Sequence, residues 1–280
     1  MYPVSLLIHR WFRVNEAVAL GIGTACTGVA VIVGSPVVTA MVEYGSLELA
    51  LWLEAGFLLL CACICLILIR NWPDDVPHEV RTPQMRKIKR QRWKFDGMAL
   101  ACVMIGLSGN TAFQFLSLNF SSLGFAPFQV STLISVVGVT LTISKFLFGE
   151  VVERFGAYRA NWMFYGISTL GLILCCVKGS YFVAMLSMIF YGLGLAFGTI
   201  SMTVYATDLV PPEDFEATVR QYQMSFQLGS LATSVTAGAL ADWAGSYVPF
   251  YLLSAAGCVL ALLVIQSFYR RAGKTKRVHR

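Results

Sequence analysis

Charged side chains are scarce in this chain. Lys, Arg, Asp and Glu make up 13% of its 280 residues, about half the share in a soluble domain. Hydrophobic residues make up 57% and mean hydropathy is +0.68, a balance that excludes a soluble globular domain. Histidine is scarcer still: His9, His78 and His279 lie at the ends or in the single hydrophilic stretch. No H-E-x-x-H, G-x-S-x-G or phosphate-binding glycine loop occurs, and no apolar segment carries a cluster of acids. The common signatures of zinc hydrolases, serine hydrolases and ATPases are therefore missing. Cysteine is present but does not converge. Cys26, Cys61, Cys63, Cys65, Cys102, Cys175, Cys176 and Cys258 all fall in apolar runs. Of the tightest group only Cys61 and Cys65 share a helix face, so the cysteines read as small apolar filler. No metal, disulfide or cofactor is expected.

What the chain does have is long apolar runs. A bilayer core of about 30 Å needs roughly 20 apolar residues per helix. Eight stretches qualify, near 17–41, 47–69, 96–118, 127–148, 160–178, 181–207, 219–242 and 247–269. Their continuity and internal glycines exclude a barrel, whose strands alternate. The expected fold is all-α, a polytopic membrane protein of eight transmembrane helices with the lipid bilayer as its surroundings. Of 21 Lys and Arg, all but Lys178 lie in or beside alternate connections. The positive-inside rule puts those connections and both chain ends in the cytoplasm, in a cell membrane. The basic run at 86–94 reads as a juxtamembrane contact with anionic lipid rather than a nucleic-acid site.

Two features divide the chain. Residues 71–95 form the long hydrophilic stretch, with Pro73, Pro77 and Pro83 among many charges, and read as a cytoplasmic linker. Two spans precede it in residues 1–70. Six follow in residues 96–270, before a basic tail at 271–280. An internal repeat crosses this division. Residues 39–46 and 53–56 recur as 239–246 and 253–257, each copy an apolar helix, an acid, a Gly-Ser turn and another helix. Repeated helix blocks are a common carrier construction. An offset near 200 residues in a 280-residue chain predicts that the first copy is represented by its tail alone. The N-terminal helices are then expected to be encoded elsewhere.

After the fourth run comes Gly149, then Glu153, Arg154, Gly156 and Arg159. This G-x-x-x-[DE]-R-x-G-x-x-[KR] pattern resembles the loop signature of the major facilitator superfamily. The front of the chain adds a second resemblance. Arg10, Trp11, Phe12 and Arg13, then Ala17, Gly21, Gly23 and Gly28, then Ser35 and Pro36 are similar to the fourth-to-fifth helix region of its monocarboxylate and oxalate–formate branches. Asn15 and Glu16 stand where those branches carry Arg-Gly. The resemblance implies a partial major facilitator fold, helices five to twelve of a twelve-helix carrier. It implies secondary active transport of a small solute, an organic anion such as a monocarboxylate, by alternating access as antiporter or symporter. An inactive fragment of such a carrier and a membrane-embedded enzyme are the alternative readings.

Transport needs polar groups at membrane depth, where they are costly. Lys145 stands four residues before Gly149, where the resembling branches place a cavity-facing basic residue; a Lys near a helix end can equally snorkel to the interface. Leu141 stands where proton-linked members carry Asp. Asn110, Gln114, Tyr222, Gln223, Gln227 and Glu54 are the remaining candidates to bind solute, or to join helices by hydrogen bonds. Gly149 suits close helix contact and Gly156 a tight turn, while Glu153 can pair with a basic group across the cytoplasmic seam.

The charge pattern yields a labelling prediction. Cysteines introduced at Ser122 and Gly179 should react with an impermeant thiol reagent outside intact cells, and those at Thr82, Ala157 and Thr275 should not. External labelling at Thr82 would overturn the orientation.

Overall fold

The computed structural model describes residues 7–8, 11–12, 16–69, 96–211 and 214–278. The expected linker at 71–95 lies outside them, as do Arg10 and Arg13 of the front motif. Among the described residues the chain is helical throughout, with α1 (Glu16–Tyr44), α2 (Leu47–Leu68), α3 (Gly97–Ile105), a π-turn (Gly106–Asn110), α4 (Thr111–Gln114), α5 (Leu116–Ser122), α6 (Pro127–Phe155), α7 (Ala157–Leu174), α8 (Tyr181–Gly194), α9 (Phe197–Leu209), α10 (Phe215–Ala244) and α11 (Val248–Val278). Each expected stretch is occupied by one helix or by a broken series of them. By length and composition, Ile22–Tyr44, Leu47–Leu68, Pro127–Phe155 and Val248–Arg271 can cross a membrane. The pair Gly97–Gln114 and Leu116–Ser122, bent by 56°, makes a fifth candidate. The other stretches fall short for local reasons. The stretch at 181–207 is interrupted at Leu195 and Ala196, and α10 is rich in Gln, Ser and Thr.

Local signals set the helix ends. The Asp96 carboxylate accepts from the Ala99 N–H at 2.8 Å and caps α3. Ser46 does the same for α2 through Leu49, and Pro127 opens α6 where a missing N–H costs nothing. Gly156 ends α6 at φ +79° and Gly245 ends α10 at φ +64°, a backbone region that glycine enters without a Cβ penalty. The repeat seen in the sequence coincides with these ends. α1 and α10 finish at Tyr44 and Ala244, and α2 and α11 begin at Leu47 and Val248, so the same helix–turn–helix unit occurs twice.

Packing concentrates in residues 96–271, where Met98, Ile105, Phe120, Phe148, Tyr165, Tyr191, Phe250 and Ile265 are nearly or fully buried. α8 lies on α6 and α7, α10 on α3, and α11 on α3 and α7. α2 leans on α1 and exposes Leu51, Trp52, Phe57 and Leu66. α1 packs along α6, and that antiparallel crossing is the closest association of the front helices with the rest. It is close because it lacks side chains at two points. A Cβ on Gly28 would stand 2.7 Å from the Gly138 carbonyl oxygen, and one on Gly138 would stand 2.8 Å from the Gly28 oxygen. Small residues at such crossings let dispersion contacts hold membrane helices together.

Filling that gap is a direct test. Gly28→Val should destabilise the chain by about 1–3 kcal/mol through overpacking, measured by unfolding in mixed micelles. Gly34→Ala, where a Cβ meets nothing within 4 Å, should leave stability unchanged. Equal stability of the two variants would contradict the crossing.

Candidate functional site

Lys145 sits on α6 about 15 Å from that helix's C-terminal end, because α6 continues to Phe155. It is 1% exposed. That burial removes the snorkelling geometry: the ammonium turns across the seam instead of toward the helix end. Its Nζ donates to the Thr24 carbonyl at 2.7 Å and to the Thr27 hydroxyl, both on α1. Thr27 Oγ1 in turn donates to the Thr24 carbonyl at 2.8 Å, so the three groups close a ring. The seam continues from there toward the C-terminal end of α1. Gly28 lies on Gly138 and Thr142, Ser135 Oγ donates to the Ile32 carbonyl at 3.2 Å, and Ser35 Oγ lies 3.5 Å from the Ser131 carbonyl. As residue numbers rise on α1 they fall on α6, which fixes one antiparallel register from Thr24 to Ser35.

Further along the seam lies a cleft of about 510 Å³, lined by α1, α4–α6 and α2 through residues that include Gly34, Ser35, Glu54, Ser117 and Ser131. Glu54 is the one charged side chain in that lining and is exposed there. The other candidates are scattered. Tyr222 is buried, Gln223 half-buried and Gln227 exposed on α10; Gln114 is exposed at the end of α4. Asn110 closes the π-turn, and its side chain lies outside the described residues. The π-turn packs on α10, where Thr233 Oγ1 donates to the Leu107 carbonyl at 2.9 Å. Lys145 and Glu54 thus face one seam from separate points, and the α10 residues belong to another contact.

The loop signature is mostly helix. Gly149, Glu153 and Arg154 lie within α6, Gly156 makes the turn, and Arg159 opens α7, exposed. Arg154 pairs with Glu150 one turn back on the same helix, both well exposed. No ion pair of Glu153 is found among the described residues.

Sequence reasoning missed a polar thread inside the back bundle. Tyr205 Oη donates to Asn161 Oδ1 at 2.9 Å and lies 3.3 Å from Tyr165 Oη, while Tyr165 stacks on Phe197 with ring centres 4.0 Å apart. Closer to the chain end, Gln266 Nε2 donates to the Tyr158 carbonyl at 2.8 Å and Tyr269 Oη to Asp208 Oδ2 at 2.9 Å. Asn161, Tyr165 and Ser168 occupy positions i, i+4 and i+7 of α7, one face of a helix. That spacing was the available signal. Among the described residues no three His, Cys, Asp or Glu side chains converge as a metal site.

Apolar helices of membrane length, with a buried cation and hydroxyls on an interhelix seam, define the class as a polytopic helical membrane protein. The Major Facilitator Superfamily model matches residues 98–279, and the chain belongs to that superfamily. Among curated proteins it is similar to the uncharacterized MFS-type transporter YhhS of Salmonella paratyphi C, with 26% identity over 264 residues. It is 25% identical over 263 residues to YhhS of Escherichia coli K12. These matches cover 93% of this chain and 60% of the relatives' length.

The thread generates its own prediction. Tyr205→Phe should cost about 0.6–1.7 kcal/mol, the range for interhelical hydrogen bonds in membranes, by unfolding in mixed micelles. Thr236→Val, which removes an exposed hydroxyl bonded within its own helix, should cost less. Parent-like stability of Tyr205→Phe would remove the thread from the packing account.

Proposed function

We propose that the chain forms eight spans of a secondary carrier in the cell membrane, both ends cytoplasmic, and recognises a small organic anion through a carboxylate. The observation that carries this reading is Lys145, a cation 1% exposed at the seam between α1 and α6. A cation held at such depth is expensive, and it is kept where it serves a solute or ion pathway. Two of the three ammonium donors are occupied by oxygens of α1. A carboxylate is the solute group that satisfies an ammonium best, through shorter and stronger charge-assisted bonds. The spacing of Lys145 to Gly149 supports the same class by its resemblance to the monocarboxylate and oxalate–formate branches. Leu141 argues against proton coupling through a neighbouring acid on that helix turn.

Alternating access would rock the two halves about the α1–α6 seam. The chain spans 60% of the relatives' length, so transport is assigned to the whole carrier. The 280 residues alone are expected to bind a carboxylate without moving it.

The test uses the chain in lipid nanodiscs titrated with radiolabelled oxalate, lactate and formate. Lys145→Arg should keep measurable binding of the anion that the parent binds, and Lys145→Gln should lose it by tenfold or more, about 1.4 kcal/mol. Parent-like binding by Lys145→Gln would return Lys145 to a purely structural role. Saturable counterflow in vesicles holding the chain alone would show that these residues already make a carrier.

A further inference from the structure

The ring of Lys145, Thr24 and Thr27 is built unevenly. On the α1 side, Thr27 Oγ1 already donates to the Thr24 carbonyl at 2.8 Å, so both oxygens keep a partner if the ammonium leaves. The surrounding hydroxyls are likewise satisfied within their own helices: Thr142 Oγ1 donates to the Gly138 carbonyl at 2.8 Å and Thr140 Oγ1 to the Val136 carbonyl at 2.9 Å. Around this ring the ammonium is the group that depends on the facing helix, since its bonds among the described residues both end on α1. At the crossing the two glycines let the backbones meet, with the Thr142 and Ile32 side chains of the facing helices seated beside them. The polar tie across this part of the seam is therefore one that α1 can lose at little cost, provided the ammonium finds another oxygen.

We propose that the Thr24 carbonyl and Thr27 hydroxyl stand in for the solute, and that the anion opens the seam by taking Lys145 from them. This deepens the anionic-solute reading and rests on it. Thr27 is then a positioning residue: it acts through Lys145 and sets how strongly the solute-free carrier competes for the ammonium. An anion with two oxygens replaces one carbonyl and one hydroxyl and frees α1 to separate from α6. A solute without an anionic group cannot pay the desolvation of the released ammonium, so the seam also filters for charge. Binding and opening are one equilibrium, and each shifts the other by the same factor.

The experiment places spin labels at Ile22 on α1 and Leu147 on α6, both exposed, in the chain with its native cysteines replaced, and measures their distance in nanodiscs. Without solute, Lys145→Gln should lengthen or broaden the distance distribution, Thr27→Val should do so in part, and Thr27→Ser should match the parent. Sodium oxalate, lactate or formate should reproduce the shift in the parent, whichever of them it binds. Thr27→Val should bind that anion about three- to tenfold more tightly, the share of one competing hydrogen bond. An unchanged solute-free distance in both Lys145→Gln and Thr27→Val overturns the inference. If Lys145→Gln loses the anion but Thr27→Val neither tightens binding nor alters the distance, the displacement idea fails while the anion reading stands. Parent-like anion binding by Lys145→Gln overturns both.

Discussion

An ammonium group in hydrocarbon must be given oxygen. A lone cation at the centre of a membrane helix costs about 2.5–3.5 kcal/mol on insertion scales, and Lys145 is nearly enclosed. The α1–α6 seam supplies what it needs. Gly28 and Gly138 let the two backbones approach, and that approach brings the Thr24 carbonyl within 2.7 Å of Nζ. With bulkier residues at the crossing the helices would stand apart and the ammonium would have to seek the interface. Shape complementarity and charge satisfaction are thus one condition at this point, and the placement of the front helices against the back bundle follows from it.

Elsewhere the bundle handles polarity locally. Serine and threonine hydroxyls mostly return to a carbonyl three or four residues earlier, as Thr39 does to Ser35 and Thr169 to Tyr165. Such groups sit in apolar surroundings without needing a neighbour. The exceptions mark where helices are tied to one another: Thr233 to Leu107, Tyr251 Oη to the Ala112 carbonyl at 3.1 Å, and the Asn161–Tyr205–Tyr165 chain. These ties lie between the last six expected spans, whereas the ties between α1 and the rest converge on α6.

The helices were legible in the sequence because hydropathy over about twenty residues is a sum that tolerates local exceptions. Among the described residues, though, only four, or five with the bent pair, are long and apolar enough to cross a membrane. The repeat was legible because its Gly-Ser turns recur at helix ends, and Gly156 because its positive φ demands glycine. The length of α6 was not. Its last turns carry Glu150, Glu153 and Arg154, which hydropathy reads as a loop, yet a helix can leave the bilayer without ending. The partner of Lys145 was hidden for a different reason. Thr24 is more than a hundred residues away and contributes a carbonyl, a group every residue has. The polar thread was hidden by its aromatic members, since Tyr165 and Tyr205 count as apolar in any window and reveal their hydroxyls only once paired.

The π-turn at Gly106–Asn110 and the bend after it have a mechanical consequence. Below the break α3 is clamped, because a Cβ on Gly229 would stand 2.0 Å from the Val103 oxygen. Above it α5, seven residues long, is held as well: Leu116, Asn119 and Phe120 are buried, and the Asn119 side-chain amide donates to the Cys175 carbonyl at 3.4 Å. Between these two held segments the hydrogen-bond ladder is out of step, so relative movement of α10 and the end of α7 would be taken up at the π-turn rather than by bending a straight helix.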